Sequence, residues 1–348
     1  MGLVMNYKTN FRFIMCVSIF TMMLLAIAFS LEALEGEKAF QHETGFYYTV
    51  QKGDTLWDLS QQFSDSAWLW PEMWQENNQI ANPHRIFPGE RIRLFRRKGS
   101  QKIAEKKLGK ALTLKPSLDD LIHYKYSALD RVGFIRKEPV VPHGAIFKVQ
   151  ETKEMISAND IVYIRPEGDF DLVPGKRYTT YRTLAPIKDG LTNKYVGIQH
   201  LLTGVVEITQ VEPLYAMGTV IEAFRPIELE DKLMPYYRRI PKIIIKDSPK
   251  DLKGRIVNAE EHNRLIGHNM IAFFNKGKKD GVQPGQFYNV YFQVQENIHR
   301  KKGTKTLLLP VDFAELLVLH TENTTATVIV TNADKEFEPG ANVHSPRP

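Results

Sequence analysis

The sequence of 348 residues contains a single cysteine, Cys16, and this scarcity excludes several classes of protein. A disulfide scaffold and a cysteine-based zinc site both need several thiols. Cys16 also lies in an N-terminal segment that we expect to be removed. The remaining chain would then lack the thiol nucleophile that cysteine peptidases and L,D-transpeptidases need.

The other common catalytic motifs are missing as well. None of the ten histidines falls in an H-E-x-x-H, H-x-x-x-D or H-x-H pattern, the spacings typical of zinc amidases and endopeptidases. The sequence has no G-x-S-x-G elbow, no S-x-x-K pair and no glycine-rich phosphate loop. We therefore predict that the protein is not an enzyme and has no catalytic residues, no metal and no cofactor.

One catalytic alternative stays open at the level of sequence. A glycosidase needs only two suitably placed carboxylates, and Asp169 and Asp171 are candidates. Neighbouring glycine and proline favour a turn at this position, and lysozyme-like folds are mostly helical, whereas the surrounding sequence predicts sheet. A cell-wall hydrolase with an unrecognised carboxylate pair is therefore the alternative hypothesis.

The N-terminus has the pattern of an export signal. Two basic residues, Lys8 and Arg12, precede an uncharged apolar run over 13–29 that contains Ala26-Ile27-Ala28. This pattern predicts a signal peptide over residues 1–28, although a run of this length also reaches the lower bound for an uncleaved membrane anchor. We expect an exported protein of the periplasm or cell envelope, in contact with the membrane only through this segment if it is retained.

Positive charge is concentrated in one stretch of the chain. The net charge is +6, and residues 96–117 carry eight basic residues against one acidic residue. This segment is typical of a solvated basic linker; the alternative is electrostatic attachment to anionic envelope polymers or lipid headgroups. Because the rest of the exported chain is slightly acidic, we predict no binding of nucleic acid.

Residues 46–95 have the pattern of a small α/β unit. Side chains alternate in 47–51 as in a strand, and apolar residues recur at helical spacing over 56–63. The pair Trp70-Pro71 is typical of the first turn of a second helix, and alternation returns in 91–94. The predicted order is strand, helix, helix, strand.

The same segment contains several short motifs in a fixed order. YTVQKGDTL is followed by WLWPEMW, then by NNQIANP, IFPG and the final IRLF. In this order the motifs resemble a LysM domain, and the tryptophan-rich stretch is similar to a longer bacterial variant of that family. The resemblance implies binding of peptidoglycan and other glycans that contain N-acetylglucosamine.

The resemblance also implies which residues bind the glycan. In the family the groove lies between the first strand–helix turn and the loop that leads to the last strand. Backbone amides and carbonyls of these turns can pair with acetamido groups, and Leu56 and Ile80 can contact the acetyl methyl. The implied ligand-binding residues are Gly53, Asp54, Thr55, Leu56, Asn78, Gln79, Ile80 and Asn82.

Two questions of residue role remain open within this module. Asp54 can cap the first helix or contact the ligand. All four tryptophans of the chain lie here, where they can build the core of a small domain or stack on sugar rings. We expect Trp57 and Trp74 to lie in the core, and Trp68 or Trp70 to be partly exposed.

Beyond the linker the sequence predicts sheet, in two sets of strands that align at one constant, ungapped offset along the chain. Pro174-Gly175 matches Pro284-Gly285, and both pairs precede an aromatic strand. The other matched residues are Ile161 with Ile271, Tyr178 with Tyr288, Tyr181 with Tyr291, Glu212 with Glu322, Ala216 with Ala326 and Glu228 with Glu338. We predict a duplicated all-β module, barrel- or sandwich-like.

The sequence therefore predicts a multidomain protein, with a small α/β (βααβ) LysM-like module followed by two all-β repeat modules. The predicted segments are 1–28 (signal), 46–95 (glycan-binding module), 96–117 (basic linker), 118–235 (first β-module), 236–253 (proline-rich joint) and 254–348 (second β-module). The favoured function is non-catalytic anchoring to peptidoglycan, with the β-modules presented to an envelope protein partner. A multivalent polysaccharide-binding protein is a further alternative.

Overall fold

The computed structural model describes residues 44–64, 66–94, 122–151, 155–299 and 304–347. The predicted signal segment 1–28 and the predicted basic linker 96–117 lie outside the described residues. The described residues all belong to one compact unit. No helix in the described ranges is long and apolar enough to cross a membrane.

The N-terminal module, defined as residues 44–94, has the predicted order of strand, helix, helix, strand. A single 3₁₀ turn, Ala67–Leu69, joins the two helices. Its first and last strands pair antiparallel, with Tyr48 opposite Ile92. The elements are β1 (Gly45–Thr49), α1 (Leu56–Phe63), α2 (Trp70–Gln75) and β2 (Arg91–Leu94).

One apolar core and one buried asparagine hold this module together. The inner residues of α1, among them Leu59 and Phe63, pack with Met73 of α2. The amide of Asn77, which is 1% exposed, donates to the carbonyl oxygens of Met73 and Arg93 and accepts the Arg93 N–H at 2.6 Å. Asn77 therefore ties the end of the second helix to β2.

The first part of the all-β region is a seven-stranded sheet that contains β4 (Phe134–Arg136) at one edge. Its other six strands are β5 (Gly144–Val149), β6 (Ile161–Pro166), β7 (Arg177–Lys188), β8 (Tyr195–Val211), β9 (Ala216–Ala223) and β10 (Lys232–Pro235). The order across the sheet is β4-β8-β7-β10-β5-β6-β9, and β8 also pairs with β9. The six strands β5 to β10 therefore form a ring of pairings, which we call the first ring.

The second part of the all-β region is a closed barrel of six strands in the order β12-β13-β18-β17-β14-β19. A two-stranded hairpin, β15 (Gln295–His299) and β16 (Thr304–Leu307), projects between β14 and β17. The barrel strands are β12 (Lys253–Ala259), β13 (Ile271–Phe274), β14 (Phe287–Phe292), β17 (Val311–Thr321), β18 (Ala326–Ala333) and β19 (Asn342–His344).

The ring and the barrel share one connectivity. Around the first ring the order is β5-β6-β9-β8-β7-β10, which is the barrel order with each strand replaced by its counterpart. Backbone details match as well. Asn159 and Asn269 both have positive φ, and each donates its N–H to a carbonyl of a neighbouring strand, that of Val220 in the ring and that of Val330 in the barrel. Asn159 and Asn269 are as far apart along the chain as Val220 and Val330. This separation is the offset that aligns the two sets of strands in the sequence.

The N-terminal module is part of a larger sheet. Two short strands, β3 (His123–Lys125) and β11 (Lys242–Ile244), extend its sheet to the order β11-β3-β1-β2. The Phe46 ring contacts Tyr124 at 4.9 Å and Phe287 of the barrel at 5.9 Å between centroids. The strand β11 comes from the predicted proline-rich joint. Strand pairing and aromatic packing therefore fix the N-terminal module to the rest of the described structure.

A polar contact holds the first ring against the barrel. The β4 backbone pairs with β8. In the same segment, Ile135 O accepts a hydrogen bond from the Thr325 hydroxyl at 2.7 Å, and Gly133 O accepts one from the Thr327 hydroxyl at 2.8 Å. Glu260, which follows β12, accepts the Gly133 N–H at 2.6 Å. The strand β4 and the residue before it are thus bonded to both halves of the β-region.

Candidate functional site

The first wall of the predicted groove is a turn closed by the Asp54 carboxylate. This carboxylate accepts hydrogen bonds from the Gln51 N–H and the Tyr48 hydroxyl, both at 2.8 Å. Thr55, and not Asp54, caps α1, because its hydroxyl accepts the Asp58 N–H. Gly53 has φ +95° with open space around it, a conformation that suits glycine. The turn is rigid and presents its backbone to solvent.

The second wall is a loop held by its own side chains. The Gln79 amide donates to Asn77 Oδ1 at 3.1 Å and to the Arg91 carbonyl at 3.0 Å. Asn82 accepts the His84 N–H at 2.9 Å, which makes a local turn. Asn78, between Asn77 and Gln79, is exposed. This loop is therefore also fixed by internal hydrogen bonds.

The two walls meet through the core. Leu56 from the first wall and Ile80 from the second belong to the same apolar cluster, with 2% and 7% of their surfaces exposed. Their burial fixes the distance between the walls, and it leaves little of either side chain for an acetyl methyl. Of the eight predicted residues, the exposed ones are Gly53, Thr55, Asn78, Gln79 and Asn82.

Comparison with known proteins identifies this part of the chain. The LysM domain family matches residues 48–95. These residues are a LysM domain. The uncharacterized protein YqbP of Bacillus subtilis (strain 168) is 39% identical to this chain over 57 residues, which are 14% of this chain and 26% of that protein. The chain therefore covers about a quarter of that relative's length.

The family assignment has a general functional meaning. LysM is a binding domain and not a catalytic one, and it supports binding of peptidoglycan-type glycans that contain N-acetylglucosamine. LysM domains occur in cell-envelope and exported proteins. The two turns described above are where the resemblance places the glycan.

The tryptophans of the LysM domain divide into an inner and an outer pair. Trp70 and Trp74 pack against the core, and the Trp74 indole N–H donates to Ile80 O at 2.7 Å. Trp57 and Trp68 lie outside, 42% and 78% exposed, with their ring centroids 4.9 Å apart and an angle of 74° between the rings. The expectation that Trp57 is a core residue is therefore wrong, whereas Trp74 packs as expected.

A cavity of about 680 Å³ lies where the LysM domain joins β3 and β11. Strand pairing brings basic side chains from distant parts of the sequence to its lining: Lys52, Arg91, His123, Lys125 and Lys242. Sequence analysis missed this feature, because β3 and β11 are too short to show a clear alternation. The cavity contains none of the eight predicted groove residues.

The carboxylates considered for catalysis lie in an exposed turn. Asp169 and Asp171 are exposed in the turn between β6 and β7. Within the ranges that the structure describes, no group of histidine, cysteine, aspartate or glutamate could hold a metal ion.

Three titratable groups with shifted pKa values lie around β4, where the ring meets the barrel: His200, Glu260 and Glu322. Burial lowers the pKa of His200 to about 4, and burial raises the pKa of Glu260. Burial also acts to raise the pKa of Glu322, but hydrogen bonds from His320 and Arg136 outweigh it and hold that pKa at about 2. His200 accepts the Val140 N–H at 3.0 Å, and Glu260 accepts the Gly133 N–H. All three groups are engaged in holding the fold.

Proposed function

We propose that this protein is an exported, non-catalytic peptidoglycan-binding protein. Its LysM domain would hold N-acetylglucosamine-containing glycan, and its β-region would present surfaces to an envelope protein partner. The observation that carries the proposal is the pair of rigid turns in the LysM domain, fastened to each other through Leu56 and Ile80. The predicted signal over residues 1–28 supports a location in the periplasm or cell envelope.

The proposed groove suits a neutral sugar. Asp54 is the one carboxylate among the eight predicted residues. It already accepts hydrogen bonds from the Gln51 N–H and the Tyr48 hydroxyl. The exposed amides of Asn78 and Asn82 can donate and accept hydrogen bonds, and Gln79 Oε1 can accept one. Backbone groups around Gly53 and Thr55 complete the set. Leu56 and Ile80 shape the groove from below and supply little contact surface of their own.

The β-region is proposed to consist of two copies of one module, since ring and barrel share a connectivity and their counterparts keep one fixed offset along the sequence. Pairing of β1 with β3 and the contacts of Phe46 attach the LysM domain firmly to this region. A bound glycan would therefore set the position of the β-region directly. The protein would hold its partner at a fixed height on the glycan layer.

The test is binding of the chain from residue 29 onwards, which contains every described residue, to chitin hexamer and to purified sacculi. Asn78→Arg places a bulky charge on the second wall without touching the core. We expect it to weaken hexamer binding by about tenfold or more in calorimetry, which corresponds to about 1.4 kcal/mol. Gln75→Arg, with the same charge change at an exposed position of α2, is the matched control and should bind normally.

Three outcomes separate the candidate functions. Unchanged affinity of Asn78→Arg, with wild type binding, would show that the groove is placed wrongly. Sacculus binding that survives while hexamer binding is lost would favour the multivalent alternative, with glycan sites in the β-region. A clearing band in zymography on sacculi would favour the hydrolase. Ile80→Asp is unsuitable as a test, because it would place a carboxylate in the core.

A further inference from the structure

The outer tryptophan pair of the LysM domain has no role in the core or in the groove described above. Trp57 is the second residue of α1, whose inner residues Leu56, Leu59 and Phe63 are buried. Trp57 therefore points away from the core. Trp68 sits on the 3₁₀ turn and is among the most exposed large apolar side chains of the described residues, at 78%.

The pair is held in place before any ligand arrives. Two side chains of α1 anchor the segment that carries Trp68: Gln61 Oε1 accepts the Ala67 N–H at 3.1 Å, and the Ser60 hydroxyl donates to Ser66 O at 2.8 Å. The edge contact with Trp57 orients the Trp68 ring. A large apolar surface that is rigid and exposed is typical of a binding site.

The position of the pair indicates its ligand. Trp57 comes directly after Thr55 and Leu56, which form the first wall of the groove. A glycan chain that left the groove past this wall would come near the indole rings. The C–H groups on one face of a pyranose ring are apolar, so they can lie flat on an aromatic face, and the contact needs no charge.

We propose that Trp57 and Trp68 form an aromatic platform that takes one further pyranose ring of the glycan held in the LysM groove. The proposal rests on the proposed function and deepens it, because it extends the site by one sugar. It makes the affinity depend on chain length, since a short oligomer fills the groove alone and a longer one reaches the platform as well.

The test uses the chain from residue 29 onwards and chitin oligomers of two to eight sugars. We expect Trp68→Ala and Trp57→Ala each to weaken binding of the long oligomers by about fivefold, while binding of the shortest oligomers that bind at all is unchanged. Trp68→Tyr should retain most of the affinity. Leu214→Ala is the matched control, because Leu214 is 85% exposed and lies in the β-region.

Tryptophan fluorescence gives an independent readout. Long oligomers should shift the emission of wild type, and this shift should be smaller in Trp68→Ala. Thermal unfolding of both alanine variants shows whether they fold. If the affinity for long oligomers is unchanged in both alanine variants but lost in Asn78→Arg, the proposed platform is wrong and the proposed groove is supported. If wild type binds no oligomer, the proposed function fails and the platform fails with it.

Discussion

Glu260 lies where the first ring meets the barrel, and we predict that Glu260→Ala lowers the free energy of unfolding by about 3 kcal/mol. The side chain is 6% exposed. It accepts the Gly133 N–H at 2.6 Å and pairs with the Arg225 guanidinium at 3.0 Å. Alanine leaves both donors without this acceptor.

The magnitude follows from what each donor loses. Removing one partner of a buried ion pair typically costs about 3–5 kcal/mol. Arg225 keeps hydrogen bonds to the carbonyls of Arg131 and Leu202, and 19% of its side chain is exposed, so we expect the lower end of that range. Glu260→Gln retains an acceptor for Gly133, and the loss should be smaller.

The matched control is another glutamate paired with an arginine at the surface. Arg264 and Glu338 are 88% and 57% exposed, so Glu338→Ala should change the free energy of unfolding by less than about 0.5 kcal/mol. Urea unfolding followed by circular dichroism at pH 7 measures all three variants. A loss for Glu260→Ala no larger than that of the control would refute the reasoning that this pair holds ring and barrel together.

Two further predictions concern stability. The pKa of His200 is lowered to about 4 in the fold and is ordinary, near 6.5, in the unfolded chain. The unfolded state therefore binds more protons than the folded state between pH 4 and pH 6.5. The free energy of unfolding should fall by up to about 3 kcal/mol on acidification from pH 6.5 to 4, and by less in His200→Gln. A pH slope identical in both proteins would contradict this. Asn77→Ala should lower the free energy of unfolding by about 2–3 kcal/mol, since it removes several buried hydrogen bonds. Asn78→Ala, at the exposed neighbouring position, should lower it by less than about 0.5 kcal/mol. Equal melting temperatures of the two variants would show that Asn77 does not tie α2 to β2.

The sequence predicts the local part of this fold well, because local patterns determine it. The order of strand, helix, helix and strand follows from alternation, helical spacing and the turn around Gly53. The sequence also predicts the all-β region, through alternation and its turn residues. The sheet that joins β1 to β3 and β11 could not be predicted, because β3 and β11 are very short strands and their pairing is long-range.

The candidate site was predictable in its backbone and less so in its side chains. The GDT turn and the loop before β2 follow from glycine, asparagine and proline. The exposure of Trp57 was misjudged from its residue type, although its place beside Leu56 turns it about 100° away from the buried side of α1. The burial of Leu56 and Ile80 depends on packing between two loops, which no local pattern contains.

The most direct test of the glycan-binding claim is a map of backbone amide shifts in NMR spectra of the chain from residue 29 onwards, as chitin hexamer is added. We predict that the largest shifts fall on the two turns, at Gly53, Thr55, Asn78, Gln79 and Asn82. Saturating hexamer that shifts none of these amides, or that shifts only amides of the β-region, would contradict the account.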